Sequence, residues 1–334
     1  MSREATLLNP NNFRRGAMAT LTALALAGSL AACGSDADAD GEAAEASITC
    51  LTVEQLHDLW APGSEITNWN QLDDSFPDQE IKLFGPGTDS GTYDYMAETV
   101  ADPEAEEPAT RDDYEASEDD NVLVEGVANT EGATGYFGYT YYEQNKSRLA
   151  ALEIDNGDGC VAPSAETAQD GSYAPLSRPL FIYVNKASYT DNKAVQEYVD
   201  FYIENLAAIA EAAQYIPLSE ELYGETQSAL EGLGGSGATG ASGDVKVDGS
   251  STVYPMSVAA QELLNQENSD VKVTVGEAGT GGGFELFCAG DTDISDASRP
   301  IEEDEIAACE DKGVEFVELQ VATDALTVVV NPNL

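Results

Sequence analysis

Four short segments of the chain combine glycine with serine or threonine, and each stands between a strand-like apolar run and a helix-like run. In the order in which they are called the first to the fourth turn below, they are DGSSTVYP (248–255), GEAGTGGGFELF (276–287), SDASRPIEEDE (295–305) and GPGTDSGTYDYM (85–96). The first N–H groups of a helix lack intrahelical partners and carry the positive end of its dipole. Glycine allows close approach, and hydroxyl groups add donors without net charge. Together the four turns predict an anion site.

Each turn alone has a simpler explanation, which is helix N-capping by a hydroxyl group. The residues open to either role are Ser90, Ser251, Thr252, Thr280 and Ser298. The guanidinium of Arg299 can donate two parallel hydrogen bonds to an oxyanion, and its alternative role is an ion pair with the glutamates that follow it. The glycine spacing fits neither a dinucleotide fingerprint nor a P-loop, so a nucleotide site is not expected.

A catalytic set is missing from the sequence. The single histidine, His57, lies in a helix-like stretch, and Thr88 replaces the first glycine that a nucleophile elbow requires. No pair of carboxylates is singled out by its spacing. The sequence therefore predicts a protein that is not an enzyme and needs no cofactor. An aromatic run is predicted to be a core strand rather than a sugar platform; it comprises Tyr136, Phe137, Tyr139, Tyr141 and Tyr142.

The 334-residue chain has a formal net charge of -48, which excludes a nucleic-acid or anionic-membrane footprint. Residues 1–32 have the arginines and uncharged run of a signal peptide. LAAC (30–33) resembles a lipobox with Cys33 as the lipid anchor, and the acidic, alanine-rich composition of residues 33–47 predicts a flexible tether. The remaining cysteines favour two disulfides, Cys50 with Cys160 and Cys288 with Cys309, because each pair lies within one predicted domain. No close Cys-x-x-Cys spacing supports a metal site.

Strand-like and helix-like runs alternate along the mature chain, which predicts an α/β fold. A glycine-rich segment, 232–243, is predicted to be a flexible linker. Helices are predicted at 52–61, 93–100, 121–129, 193–214, 255–266 and 302–313, and an aromatic strand at 135–145. The predicted domains are 48–175 and 176–334, and the second includes the linker.

Several long motifs resemble the phosphate-binding lipoproteins that serve ABC-type phosphate importers. They are the segments 85–96, 117–129, 132–145, 175–185, 248–255 and 279–300. The resemblance implies a type II periplasmic-binding-protein fold, with two α/β domains around a ligand cleft and crossover hinge strands. It implies a monomer at the outer face of the cell membrane or in the periplasm, where the protein would bind inorganic phosphate and deliver it to ABC permease subunits.

The resemblance also assigns ligand contacts to residues of the four turns, namely Ser251, Thr252, Thr280, Ser298, Arg299, Ser90, Gly91 and Thr92. Pro86 stands where some relatives have a ligand arginine, and Arg299 is predicted to replace that charge. A carboxylate that accepts a proton from phosphate would distinguish phosphate from sulfate. Asp89 is predicted for this role, with Asp248 and Asp296 as nearby candidates.

The order of the segments departs from the family, because the half that begins VKVDGSSTVYP comes last, behind the glycine-rich segment. The chain is therefore predicted to be circularly permuted, with its domains connected mainly through residues 177–185. Alternatives left open are a binding protein for another tetrahedral oxyanion such as sulfate, and a surface-tethered signalling or adhesion module.

Overall fold

The structure confirms the predicted α/β class. A computed structural model describes residues 48–88, 90–105, 107–234 and 237–334, which lie within one compact unit. Its strands, in chain order, are β1 Cys50–Thr52, β2 Lys82–Gly85, β3 Glu115–Ala116, β4 Ala133–Gly138, β5 Ala150–Ala151, β6 Glu153–Asp155, β7 Cys160–Val161, β8 Ser177–Asn185, β9 Gly243–Gly249, β10 Val271–Val275, β11 Ile294–Ala297 and β12 Phe316–Val330.

The helices pack around these strands, and a 3-10 turn covers Trp69–Gln71 while a π-helical turn covers Ala97–Ala101. The α-helices are α1 Val53–Trp60, α2 Gly91–Met96, α3 Asp120–Asn129, α4 Tyr139–Asn145, α5 Ala165–Gln169, α6 Lys186–Asp191, α7 Lys193–Glu204, α8 Leu206–Ala212, α9 Glu220–Glu231, α10 Tyr254–Glu267, α11 Thr280–Ala289 and α12 Glu303–Lys312. None of the helices in the described ranges is long and apolar enough to cross a membrane.

Two antiparallel strands, β8 and β12, lie at the centre of the main sheet. In the described residues this sheet runs β10-β9-β11-β8-β12-β4-β2-β3, with β5 beside β12, and β1, β6 and β7 form a smaller sheet. The first part of β12 pairs with β8 from Phe316 to Ala325, and its last part pairs with β4 from Leu326 to Val330. The predicted connection mainly through residues 177–185 is therefore wrong, because β12 also passes from one side of the molecule to the other.

Two large apolar cores lie at opposite ends of these central strands. One core packs Ile182 of β8 and Val321 of β12 against α7, α8 and α10. The other packs Val328 of β12 against Trp60 and Trp69. Because β12 contributes buried side chains to both cores, each core depends on the same strand.

The predicted helices at 52–61, 121–129, 255–266 and 302–313 are confirmed as α1, α3, α10 and α12. The aromatic strand is wrong over its second half, because the chain leaves the sheet at Gly138 and forms α4. Tyr136 and Phe137 remain buried strand residues, whereas Tyr141 and Tyr142 pack from the helix against a small core. The long helix predicted over 193–214 ends at Asn205, whose backbone φ and ψ of -107° and 15° separate α7 from α8.

Both predicted disulfides are present, and they join Cys50 to Cys160 and Cys288 to Cys309. The first links β1 to β7 within the smaller sheet, and the second links α11 to α12. The described residues contain one group of three candidate metal ligands, formed by the first disulfide and Glu153. Both sulfurs of that group are bonded to each other, so neither is available as a thiolate ligand.

The second half of the predicted flexible linker is held in place by a buried carboxylate. Glu197 of α7 accepts hydrogen bonds from the backbone N–H groups of Gly240 and Ala241, at 3.2 and 2.6 Å. Its Oε1 also accepts a 3.0 Å hydrogen bond from Nδ2 of Asn268. Composition predicts flexibility here, but one residue 43 positions upstream fixes the backbone before it enters β9.

We expect Glu197→Ala to lower the free energy of unfolding by about 1–3 kcal/mol, because it leaves partly buried donors without an acceptor. Chemical denaturation measures this loss. Glu204→Gln on the exposed side of the same helix is the matched control and should change stability little. Equal stability of the Glu197→Ala variant and the wild-type protein would show that the linker is not held by this carboxylate.

Candidate functional site

A cleft of about 770 Å³ brings together residues from opposite ends of the main sheet. Five of the predicted ligand residues line it, namely Ser251, Thr252, Thr280, Ser298 and Arg299. Its other wall carries α2 and the segment that leads into β8. The turns after β9 and β11 and the start of α11 thus share one cavity, although they are distant in sequence.

The first turn is shaped by backbone contacts that leave its hydroxyl groups at the cleft. Gly249 has a φ of 140°, a conformation that favours glycine, and places the following turn against β11. There the N–H of Ser250 donates to the carbonyl of Asp296 at 2.9 Å. Helix α10 begins only at Tyr254 and has no side-chain cap. N-capping therefore does not explain Ser251 or Thr252.

The start of α11 supplies three free backbone N–H groups. Gly279, with a φ of 82°, precedes the helix, and the first backbone hydrogen bond there joins the N–H of Gly283 to the carbonyl of Gly279 at 2.8 Å. The N–H groups of Thr280, Gly281 and Gly282 make no hydrogen bond with other described residues. All three residues line the cleft. This is the geometry in which a helix N-terminus binds an anion.

The third turn is joined to the second by side-chain hydrogen bonds. Oγ1 of Thr280 lies 3.1 Å from Oγ of Ser298 and accepts a 3.3 Å hydrogen bond from the Ser298 N–H. The helix after Ser298 begins five residues further on, at Glu303, and its N-cap is Glu302. Ser298 is therefore not a helix cap, and its hydroxyl pairs with that of Thr280 at the wall of the cleft.

The predicted ligand residues of the fourth turn lie beside the cleft without lining it, although Asp94 and Tyr95 of the same segment do line it. Ser90 caps α2, because its Oγ accepts a 3.2 Å hydrogen bond from the N–H of Thr92, so the simpler alternative applies here. Neither residue is part of the cleft wall. Gly91 contacts the first turn closely, since a Cβ atom built on it would lie 3.1 Å from Oγ1 of Thr252. Asp89 lies outside the described residues.

Arg178 at the start of β8 is a cleft residue that sequence reasoning missed. Its Nη2 donates to Oγ1 of Thr252 at 2.8 Å, and its Nε lies 3.3 Å from Oδ2 of Asp324. The guanidinium carbon lies 3.8 Å from the centre of the Tyr95 ring, a cation–π contact. One signal was present in the sequence, because Ser-Arg-Pro occurs both at 177–179 and at 298–300.

Arg299 also lines the cleft, but the N–H groups of its guanidinium already have carboxylate partners. Nη1 and Nη2 donate to the two carboxylate oxygens of Glu305, both at 2.8 Å. Nε lies 3.3 Å from Oε1 of Glu302. The alternative of an ion pair with neighbouring glutamates therefore describes the observed geometry of this residue.

Two carboxylates line the wall of the cleft opposite the turns. Burial raises the pKa of Asp94 and of Glu98, and the positive charge of Arg178 opposes the rise in both. Glu98 makes no ion pair or hydrogen bond with any other described residue. These groups place negative charge inside a cleft whose donors favour an anion.

Asp248 and Asp296 are the other two candidates for the carboxylate that accepts a proton from the ligand. Both lie within the described residues, and they differ in their hydrogen-bond partners. Asp248 accepts hydrogen bonds from the N–H groups of Gly249 and Ala278, each at 2.9 Å, and so holds two of the turns together. Asp296 is completely buried beneath the first turn. Its Oδ1 accepts a 2.9 Å hydrogen bond from Ser257, and its Oδ2 has no hydrogen-bond partner among the described residues. Burial, aided by the charge of Asp248, raises the pKa of Asp296 to about 8 against the hydrogen bond from Ser257.

A protein-family model described as a PBP superfamily domain matches residues 19–205 and 234–333. The chain belongs to the PBP superfamily. Proteins of this superfamily are substrate-binding proteins. His57 lies outside the cleft, and its Nδ1 is 2.8 Å from the carbonyl of Val100.

Relatives of this PBP superfamily member include two bacterial proteins with matches of similar length. Protein SphX of Synechocystis sp. is 49% identical over 178 residues, which cover 53% of this chain and 52% of the relative. Phosphate-binding protein PstS of Staphylococcus saprophyticus is 37% identical over 186 residues, which cover 55% of each chain. The chain thus spans about half the length of these relatives, and the circular permutation stays a prediction.

Solved structures confirm the predicted periplasmic-binding-protein fold. A phosphate-binding protein of a phosphate ABC transporter from Streptococcus pneumoniae has a TM-score of 0.59 and 21% identity, over 76% of this chain and 89% of that one. A possible phosphate binding protein from Planctomyces limnophilus has a TM-score of 0.52 and 37% identity, over 58% of this chain and 66% of that one.

The buried carboxyl of Asp296 predicts a pH-dependent contribution to stability. Its pKa rises from an ordinary 3.8 to about 8 on folding, so between about pH 4 and pH 8 the native state retains a proton that the unfolded state releases. Stability therefore falls as pH rises through this window. We expect Asp296→Asn to lose this slope, so that its free energy of unfolding improves relative to wild type from pH 5 to pH 8.

Denaturant titrations at pH 5, 6.5 and 8 in phosphate-free buffer measure the difference. Asp270→Asn, at an exposed position, removes the same charge and serves as the control. A constant difference between Asp296→Asn and wild type at all three pH values would contradict the prediction.

Proposed function

We propose that the cleft binds a tetrahedral oxyanion, with inorganic phosphate as its preferred ligand, for delivery to the permease subunits of an ABC-type phosphate importer. The observation that carries the proposal is the convergence of unpaired donors on one cavity. Three N–H groups at the start of α11 meet the hydroxyl groups of the first and third turns there. Four oxygens directed to the corners of a tetrahedron can accept hydrogen bonds from several such directions at once.

Two similar proteins support phosphate as the ligand, namely the phosphate-binding protein of Staphylococcus saprophyticus and the possible phosphate binding protein of Planctomyces limnophilus. The proposed selector of a protonated anion is a carboxylate that accepts a hydrogen bond from hydrogen phosphate, because sulfate at neutral pH has no proton to donate. Asp89, which lies outside the described residues, keeps this proposed role. Asp296 does not line the cleft, and its raised pKa leaves it protonated at neutral pH.

Binding rather than catalysis is the proposed role, and its proposed place is outside the cytoplasm. The two disulfides fit an oxidising compartment. Cys33, the proposed lipid anchor, lies outside the described residues. We propose that the mature protein is a monomer tethered to the outer face of the membrane by this lipid.

Isothermal titration calorimetry of the purified protein with phosphate, arsenate and sulfate tests the proposal. We expect heat with phosphate, weaker binding of arsenate, and none with sulfate at the same concentrations. The double variant Ser251→Ala, Thr280→Val should bind phosphate at least about 10-fold more weakly, because two hydroxyl donors are lost. Thr190→Val removes an exposed hydroxyl outside the cleft and is the control.

Sulfate binding with no response to phosphate would favour a transporter for another oxyanion. No binding of any of the three anions would favour a signalling or adhesion module that retains the fold. Either result would overturn the proposed function.

The carboxylate of Glu98 is expected to weaken anion binding. It lines the cleft with its negative charge unpaired among the described residues, so Glu98→Gln should raise phosphate affinity about two- to five-fold. Glu104→Gln changes the net charge by the same amount outside the cleft and should change the affinity little. Calorimetry at one fixed pH separates the two variants. Equal affinities would mean that Glu98 does not face the bound ligand.

The net charge of -48 predicts slow association of an anion at low salt. Salt shortens the distance over which remote carboxylates repel the ligand, to about 8 Å at physiological ionic strength. We therefore expect the association rate of phosphate, measured by stopped-flow fluorescence, to rise between 20 and 300 mM NaCl. A rate that falls with salt would show that the local field of the cleft attracts anions from solution.

A further inference from the structure

The sequence Ser-Arg-Pro occurs twice, and both copies bring an arginine to the wall of the cleft. Arg178 is the second residue of β8, whereas Arg299 lies between β11 and α12. A guanidinium carries five N–H donors in a plane and stays charged at every relevant pH. The two arginines have the same donors, and they differ in burial and in what already binds those donors.

Arg299 is engaged by two carboxylates from the start of α12. Its two terminal nitrogens both donate to Glu305, and its Nε is paired with Glu302. The bidentate pair is the strongest arrangement available to a guanidinium and a carboxylate. An oxyanion that binds Arg299 would have to displace the carboxylate of Glu305. The Glu305 side chain is only 15% exposed, so its mostly buried charge would then be left without a cation.

Arg178 is more deeply buried and has fewer partners. Its side chain is 13% exposed, and a single carboxylate, that of Asp324, lies beside its Nε. Nη2 donates one hydrogen bond to Thr252, while Nη1 makes none with the residues that the structure describes. The N–H groups of Nη1 and the second N–H of Nη2 are therefore available to a ligand in the cleft.

The orientation of Arg178 is fixed from three directions. Asp324 is its direct cross-strand neighbour on β12, and Tyr95 packs against the guanidinium face. Tyr95 is itself held by a 2.9 Å hydrogen bond from its hydroxyl to the carbonyl of Pro175. Thr252, on the third side, belongs to the turn that also faces the ligand. A preorganised donor of this kind loses little entropy when an anion binds.

Taking the proposed oxyanion function as given, we infer that Arg178 recognises the anion and that Arg299 is a structural ion pair at the rim. This assignment corrects the expectation that Arg299 carries the charge. It also explains how an oxyanion gains a guanidinium contact while Arg299 remains paired with Glu305. Asp324 acts as the positioning residue, since it holds Nε and leaves the terminal nitrogens to the ligand.

The test compares Arg178→Gln with Arg299→Gln by calorimetry with inorganic phosphate. We expect Arg178→Gln to lose at least about 30-fold in affinity and Arg299→Gln to stay within about three-fold of wild type. Circular dichroism and the thermal midpoint show whether each variant is folded. The reverse pattern, in which Arg299→Gln loses affinity and Arg178→Gln does not, would overturn the assignment.

A second pair of variants covers the case in which Arg178→Gln does not fold. Lysine keeps the charge and its attraction to Asp324 but loses the planar fork, so Arg178→Lys should bind phosphate about 10-fold more weakly. Arg299→Lys is the matched control and should bind as wild type does. Equal affinities of the two lysine variants would also overturn the assignment.

A third measurement uses the wild-type protein. The NMR signals of the Arg178 guanidinium, identified by their loss in Arg178→Lys, should shift on addition of phosphate while those of Arg299 stay in place. Wild-type protein that binds no anion would sink the proposed function itself. Wild-type protein that binds phosphate without a shift at Arg178 would overturn the assignment alone.

Discussion

The proposed binding of an anion depends on a set of hydrogen-bond donors that the fold leaves unpaired, among the described residues, at one cleft. The first N–H groups of α11 have no partner in their own helix, and no described side chain supplies one. In a chain with a net charge of -48, an anion cannot be held by the average field of the protein. It must be held by donors within a few ångströms, where a low local dielectric strengthens each contact and distant carboxylates are screened.

The remaining features place these donors and hold the turns that carry them together. Gly249 lets the first turn approach β11, and Asp248 ties that turn to the loop before α11 through two backbone N–H groups. The hydroxyl groups of Thr280 and Ser298 then meet across two elements. The Thr280–Ser298 and Asp248–Ala278 contacts are local in space but join residues that are 18 and 30 positions apart in the chain.

The sequence was sufficient for those features whose cause is local. Capping residues and apolar spacing locate α1 and α3, and glycine-hydroxyl turns locate three of the four loops near the cleft. The predicted domains favoured the cysteine pairing that is present, although Cys50 and Cys160 are 110 residues apart. Features with distant causes were missed. The partners of Arg178 lie 74 and 146 residues away, and Glu197 fixes a segment that composition alone describes as flexible.

Strand β12 is shared by the two large apolar cores. Its first two thirds complete the sheet on one side with β8, and its last five residues complete the sheet on the other side with β4. If either core unfolds, β12 loses backbone hydrogen-bond partners and buried side-chain contacts, and the other core also depends on β12. Loss of order on one side of the cleft is thereby transmitted to the other, and the two halves unfold cooperatively although a groove separates them.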